Sequence, residues 1–448
     1  NDKFSSAFSY IFKSTLTLHF IHNLFTHLIT VLPAFLPIAF SQNCDIMRNY
    51  PASAAFIFIP PSDKREFIKE TPHMHYLDHA ATTPVDPEAV RVMVDVMTEN
   101  FGNPSAQYQL GRKAKALVDG GRAVIAKALD AQPEQVLFTS CGTEGDNWAI
   151  RAGLHQNRRV GRHIVTTAVE HSAVLHCVRQ LEREGYTATY VKPDKQGRIA
   201  AEDVLDAVRE DTAVVSVMLV NNETGAVFPV AEIAGGLRGK RALLHTDAVQ
   251  GFLKIPFSVK NLGADYVTLS AHKIGGPKGI GALYTGGKAK NTLPLLFGGG
   301  QESGLRPGTE ATAQIAGFAK AVELRMPRQE EIAAHLAACR EYARERLSAI
   351  PDLQFIGPAS APHILSVSLP GYPSQNIVSE LDSKEIFISA GSACHRGKAS
   401  HVLSAMGLDK RTAAGTIRIS FGPETVFSDI DALAEALLAH KNARFPML

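Results

Sequence analysis

Cysteine is scarce in this chain and poorly spaced for joint work: there are five, Cys44, Cys141, Cys177, Cys339 and Cys394, with no C-x-x-C pair. An odd, scattered set argues against a disulfide framework or a zinc site and fits a reducing, cytoplasmic setting. Long runs of one charge are missing too, and 46 Lys+Arg against 44 Asp+Glu leave a net charge of +2. Nothing in that balance suggests a nucleic-acid or membrane partner. The nucleotide loop G-x-x-x-x-G-K-[ST] occurs nowhere.

What is present divides in two. Residues 1–73 hold the apolar stretch "HNLFTHLITVLPAFLPIAF", broken by histidines and prolines, and the first 47 residues have no arginine. Those interruptions weaken a membrane span, a secretory signal and a mitochondrial leader alike. Residues 1–73 are expected to be a disordered or non-native leader, with Met74 as the natural start. Beyond it, short β-branched runs such as "HIVTTAV" (163–169), "TAVVSVMLV" (212–220), "ALLHTDAV" (242–249) and "YVTLSAH" (266–272) alternate with helical segments. That alternation predicts an α/β fold with a mostly parallel sheet. The amphipathic run 330–350 carries the chain into a smaller domain. The expected division is 91–327 for the large domain, with 74–90 and 328–448 for the small one.

Sheets of this kind bind ligands at the carboxyl ends of their strands, and four polar motifs fall there. In "FTSCGTEGDNWAI" (138–150) a helix starting near Gly142 and Thr143 offers backbone N–H groups to a phosphate, or is a plain N-cap. "VNNETG" (220–225) is rich in amides and otherwise reads as a turn. In "HTDAVQG" (245–251) Asp247 closes an apolar run and suits a buried cation such as a pyridinium nitrogen. In "SAHKIGGPKGIG" (270–281) Lys273 leaves a strand, and a desolvated lysine can form a Schiff base with an aldehyde. Ser270 and His272 flank it as phosphate donors. His171, closing another strand, has a ring suited to stacking. Together these are the parts that pyridoxal 5′-phosphate requires.

Between "HYLDHAATTPVDP" (75–87) and "IRISFG" (417–422), eight ordered stretches carry a resemblance: "FGNPSA", "TSCGTEGDN", "VEHSAV", "VNNETG", "HTDAVQ", "SAHKIGGPKGIGALY", "GGGQESGLRPGT" and "SAGSAC". The chain resembles the class V aminotransferases, and within them the cysteine desulfurases of the nitrogen-fixation and iron–sulfur-cluster type. The resemblance implies a fold-type I pyridoxal-phosphate homodimer with the active site at the subunit interface. Lys273 would hold the cofactor, Asp247 would pair with its ring nitrogen and His171 would stack on it. Asn222 and Gln250 would bond near the ring hydroxyl. Gly142, Thr143, Ser270 and His272 would bind the phosphate, joined by Thr309 from the other subunit. Asn103 and Arg418 would clamp the substrate carboxylate.

By the same resemblance, Cys394 in "ISAGSACHRGKASHVL" (388–403) would take sulfur from L-cysteine, leaving alanine and a persulfide. Small residues before it and His395, Arg396 and Lys398 after it suit an exposed thiolate. The sulfur would pass to an acceptor protein, a cluster scaffold or a tRNA-thiolation enzyme. The alternatives are a selenocysteine lyase or a related pyridoxal-phosphate aminotransferase, which would not need the thiol. No metal site is expected. The family's usual glycine is Cys141 here, Tyr108 stands where histidine is common, and the spacer after Cys394 is shorter than usual.

Overall fold

In the computed structural model, residues 74–289, 292–390 and 400–446 are described. After a short strand β1 (His75–Tyr76), seven strands build the main sheet: β2 (Val136–Thr139), β3 (His163–Thr167), β4 (Thr187–Val191), β5 (Thr212–Ser216), β6 (Leu243–Asp247), β7 (Tyr266–Ser270) and β8 (Gly281–Thr285). Their order is β2-β8-β7-β6-β5-β3-β4, and β8 alone runs against the rest. Every residue of β3, β5, β6 and β7 is buried, because helices cover both faces and leave no solvated side.

Successive residues of these strands feed opposite layers, as the two-residue pleat requires. Val165, Val215 and Leu244 join Ile125, Leu129, Phe318 and Val322 on one face. Ile164 and Val214 join Ile150, Leu154, Val174 and Val178 on the other. Each such side chain contributes about 1.5–3 kcal/mol by leaving water. Both layers therefore fix the strand register, and with it the row of residues at the strand ends.

The expected run 212–220 is longer than the observed β5. The Met218 N–H leaves the ladder and donates to the Glu170 carboxylate at 3.0 Å, although Leu219 N–H still reaches the Asp247 carbonyl at 2.8 Å. A second, four-stranded sheet has the order β12-β13-β10-β9 and comprises β9 (Gln354–Ile356), β10 (Ile364–Ser368), β12 (Ser389–Ala390) and β13 (Thr416–Ser420). Strand β11 (Ile386–Phe387) pairs in parallel with β1, and Asp78 bridges Ser420. Helices Gln329–Ser348 and Phe427–Ala443 cover this sheet through Leu336, Leu347, Leu433 and Leu437. No helix among the described residues is long and apolar enough to cross a membrane.

Candidate active site

Strand β7 ends at Ser270, and the chain then makes one tight turn, Ala271–Lys273, before doubling back. The reversal needs glycine twice. Gly275 has φ +79°, and a Cβ on Gly276 would come within 2.9 Å of the Ala271 carbonyl oxygen. The turn aims Lys273 at the "HAATT" segment, where its Nζ donates to the carbonyls of Ala80 (2.7 Å) and Ala81 (2.6 Å). Thr83 laces that segment down: its N–H donates to the His272 carbonyl at 2.9 Å, and its Oγ1 accepts from Gly275 N–H at 2.8 Å.

Asp247 stands at the end of the adjacent strand β6, with only 6% of its surface exposed. Its carboxylate accepts from Val249 N–H at 2.9 Å. Burial first, then the neighbouring Asp146 carboxylate, pushes its pKa up to about 7. His171 caps the helix Ser172–Arg183, and its Nδ1 accepts from Ala173 N–H at 3.2 Å. Burial lowers its pKa, so it is the neutral ring with its proton on Nε2. One donor atom each of Asp146, His171 and Asp247 lie within 4.8 Å of one another. With the His171 ring nitrogens so committed, the two carboxyl groups suit a protonated heterocycle.

Two of the phosphate candidates, Gly142 and Ser270, meet at one spot. Helix Gly142–Gln156 begins after Cys141, whose side chain caps none of its first N–H groups. A Cβ on Gly142 would lie 3.9 Å from the Ser270 Cβ and 3.0 Å from Val249. The Ser270 hydroxyl beside it is buried and has no hydrogen-bond partner. An uncapped helix start facing an orphan hydroxyl is a site built for an anion. His272, half-buried, meets the Thr82 hydroxyl through Nδ1 at 3.2 Å, and burial lowers its pKa to about 4.

Gln250 is buried, and its Nε2 donates at 2.8 Å to Ala80, the carbonyl that also receives Lys273. In "VNNETG" the two amides divide the work. Asn221 holds the turn, donating to the Val169 carbonyl at 2.9 Å and accepting from Thr224 N–H at 2.9 Å. Asn222 lends its backbone carbonyl to Arg418 Nη1 at 2.8 Å. Arg418, on β13, also donates through Nη2 to Asp78 at 2.7 Å and to Ser389 at 3.1 Å, while its buried Nε has no partner.

Not every expected residue joins this cluster. Asn103 is exposed, and its carboxamide accepts from Ser105 N–H at 2.9 Å within its own turn. Thr309 is exposed on the loop that carries Arg306, whose guanidinium pairs with Glu144 at 3.0 Å. Cys394 lies outside the described residues. Both flanks of its segment touch the site, however. Ser389 meets Arg418, and His401 Nε2 donates to the carbonyl of Glu170 at 2.9 Å.

Three acidic residues here were not foreseen from the sequence: Asp78 on Arg418, Asp146 facing His245 Nε2 at 3.5 Å, and Glu170. Burial pushes the Glu170 carboxyl up to about 8, and it accepts from Thr167 Oγ1 at 2.7 Å. The one visible signal was a carboxylate beside a strand-end residue, as in "VEH".

The sequence pattern described as Aminotransferase class-V matches residues 75–433. A protein of Clostridium botulinum (strain Hall), named cysteine desulfurase IscS, is 40% identical over 371 residues, 81% of this chain and 93% of its own. A solved structure titled NifS-like protein superposes with a TM-score of 0.78 at 35% identity, over 83% of this chain and all of its own. Another, titled SspA in complex with cysteine, gives a TM-score of 0.69 at 32% identity, over 78% of this chain and 99% of its own.

Proposed function

Because the chain belongs to the class V aminotransferase family and is a pyridoxal-phosphate-dependent cysteine desulfurase, we propose that the residues at the ends of β2, β3, β6 and β7 carry its conversion of L-cysteine to L-alanine. The observation that carries this reading is that Asp247 and the orphan Ser270 hydroxyl end two adjacent strands, with Lys273 in the turn that follows and one uncapped helix start beside them. These residues fit the cofactor: an anion hole for its phosphate, a buried carboxylate for its ring nitrogen, and an amine for its aldehyde.

The chemistry that pyridoxal phosphate supplies when bound is a sink for the electron pair released at the substrate Cα. Lys273 is the amine that holds it and then moves the Cα proton. Asp247, hard to ionise in its buried setting, does so when it faces a cationic ring nitrogen. Neutral His171, its Nδ1 held by Ala173 N–H, would stack on the ring and present its Nε2–H there. Gly142, Thr143, Ser270 and His272 bind the phosphate, with Thr309 of a second subunit. Asn222 and Gln250 would bond near the ring hydroxyl. Arg418, steadied by Asp78, would bind the substrate carboxylate, with Asn103 as its helper.

Sulfur leaves by attack of the Cys394 thiolate on the substrate sulfur. An S–S bond forms, the Cβ–S bond breaks, and the carbon takes up a proton to give alanine. The persulfide then passes to an acceptor protein for cluster assembly or tRNA thiolation. The exposed stripe Val90, Val94 and Met97 on the helix Pro87–Thr98, continued by Phe101, supports a homodimer. Free thiols at Cys141, Cys177 and Cys339 support a reducing, cytoplasmic setting. Pairing of β1 with β11 supports grouping 74–90 with 328–448 as the smaller domain and 91–327 as the larger.

The loaded protein, given L-cysteine and a thiol reductant, should release alanine and sulfide in equal amounts. Pyruvate and ammonia, or a keto acid, in place of alanine would overturn the reading. Ser270→Ala should weaken cofactor binding by about 10- to 100-fold, the range for a hydrogen bond to a charged group. Fluorescence titration of the cofactor-free protein measures it. Unchanged affinity would move the phosphate elsewhere.

A further inference from the structure

The chemistry just proposed leaves a group of buried basic side chains beneath Lys273 unused. Lys254 is 4% exposed, and its neighbour Leu253, itself buried, takes φ +54°. A bulky L-residue adopts that left-handed conformation only when its surroundings impose it, and here the bend precedes an inward-turned lysine. Lys254 Nζ donates to Gln250 Oε1 at 3.2 Å, and among the described residues it forms no ion pair with a carboxylate. His363 Nε2 stands 3.3 Å from the same oxygen. On its other side, Gln250 Nε2 donates to the Ala80 carbonyl at 2.8 Å, which also takes Lys273 Nζ at 2.7 Å.

Two lysines are thus joined through one amide and one carbonyl. The amide has one stable orientation. Flipped, its nitrogen would face the donors of Lys254 and its oxygen would face the Ala80 oxygen.

The groups around Lys254 are basic on every side: Lys273 and His272 after β7, His79 after β1, His363 before β10, Arg325 at its helix end and Arg418 on β13. Asp429 is the acid that acts on His79, and Asp86 and Glu424 those that act on Arg325. Burial above all, then the cations Lys273, Arg325 and Arg418, hold the Lys254 amine well below its ordinary value.

Resting on the cofactor reading above, we propose that Lys254 is a positioning residue. It fixes the Gln250 amide so that its N–H groups face Ala80 and the cofactor's ring oxygen. An N–H aimed at that oxygen favours the oxygen's anionic form and so eases loss of the proton from the Lys273 nitrogen.

The test is the pH dependence of the visible absorbance of the cofactor-loaded protein. Lys254→Met should raise the midpoint by about one pH unit, and Lys254→Arg, which can still donate to Gln250 Oε1, should leave it near the parent's. Gln250→Leu should raise it like Lys254→Met, and the double variant should shift no further than either alone. A Lys254→Met midpoint equal to the parent's, with cofactor fully bound, would overturn the proposal, and so would additive shifts in the double variant. If Lys254→Arg takes up no cofactor, the comparison of Lys254→Met with the double variant decides alone. A parent protein that binds no cofactor would instead sink the functional reading. A parent that titrates normally beside an unshifted Lys254→Met sinks this inference only.

Discussion

Lys273→Ala is expected to lose L-cysteine-dependent alanine formation by more than ~10³-fold. General acid–base help from one side chain is worth roughly 10²–10⁴, and Lys273 is asked in addition to hold the cofactor. The variant should still fold. The amine sits at the end of a single turn whose backbone is fixed by Thr83 and Gly275, not by the lysine. Its loss leaves the Ala80 and Ala81 carbonyls without one donor each, though Ala80 keeps Gln250. A hydrogen bond of this kind contributes about 0.5–1.5 kcal/mol net, so a modest drop in Tm should accompany a near-total loss of turnover. Cofactor should wash out of the variant on gel filtration and stay with the parent. Alanine formation within ten-fold of the parent would remove Lys273 from its assigned role.

Asp247→Asn should separate stability from function in opposite directions. In the cofactor-free protein the Asp247 carboxyl is buried, and its pKa is raised from 3.8 to about 7. A carboxyl raised on folding binds more protons in the native state than in the unfolded one, so ionising it weakens the fold as pH rises toward 7. The asparagine escapes that penalty. Relative to the parent, the cofactor-free variant should gain stability between about pH 4 and pH 8, by at most a few kcal/mol. Turnover should move the other way. Removing one member of a buried, hydrogen-bonded charge pair costs about 2–5 kcal/mol, or roughly 30- to 5,000-fold. Thermal melts across that pH range and steady-state assays measure both arms. A variant equally destabilised at every pH would show Asp247 to be a packing residue.

The strand ends were legible in the sequence because buried parallel strands leave their chemistry nowhere else to go. Asp247, Ser270 and Lys273 could be placed by the length of the apolar run before each. His171, expected to close a strand, instead caps the next helix four residues beyond the end of β3. Strand length was read less well. Nothing in "TAVVSVMLV" says that Met218 N–H will be captured by Glu170, 48 positions earlier. The grip of Asp78 on Arg418 joins residues 340 apart, and the Lys254–Gln250–Ala80 chain reaches 170 positions back. Such contacts are set by tertiary packing and leave no local pattern. "VNNETG" offered two amides, and only the turn geometry separates structural Asn221 from Asn222 at the site.

The sulfur step is the centre of the account, and it can be read directly on the thiol. Loaded protein should be mixed with one equivalent of L-cysteine without reductant, alkylated, digested and weighed peptide by peptide, with alanine counted in parallel. One alanine per active site and one extra sulfur on the peptide bearing Cys394 are expected, both lost in Cys394→Ser. Extra sulfur on Cys141 instead, or an undiminished alanine burst from Cys394→Ser, would contradict that step.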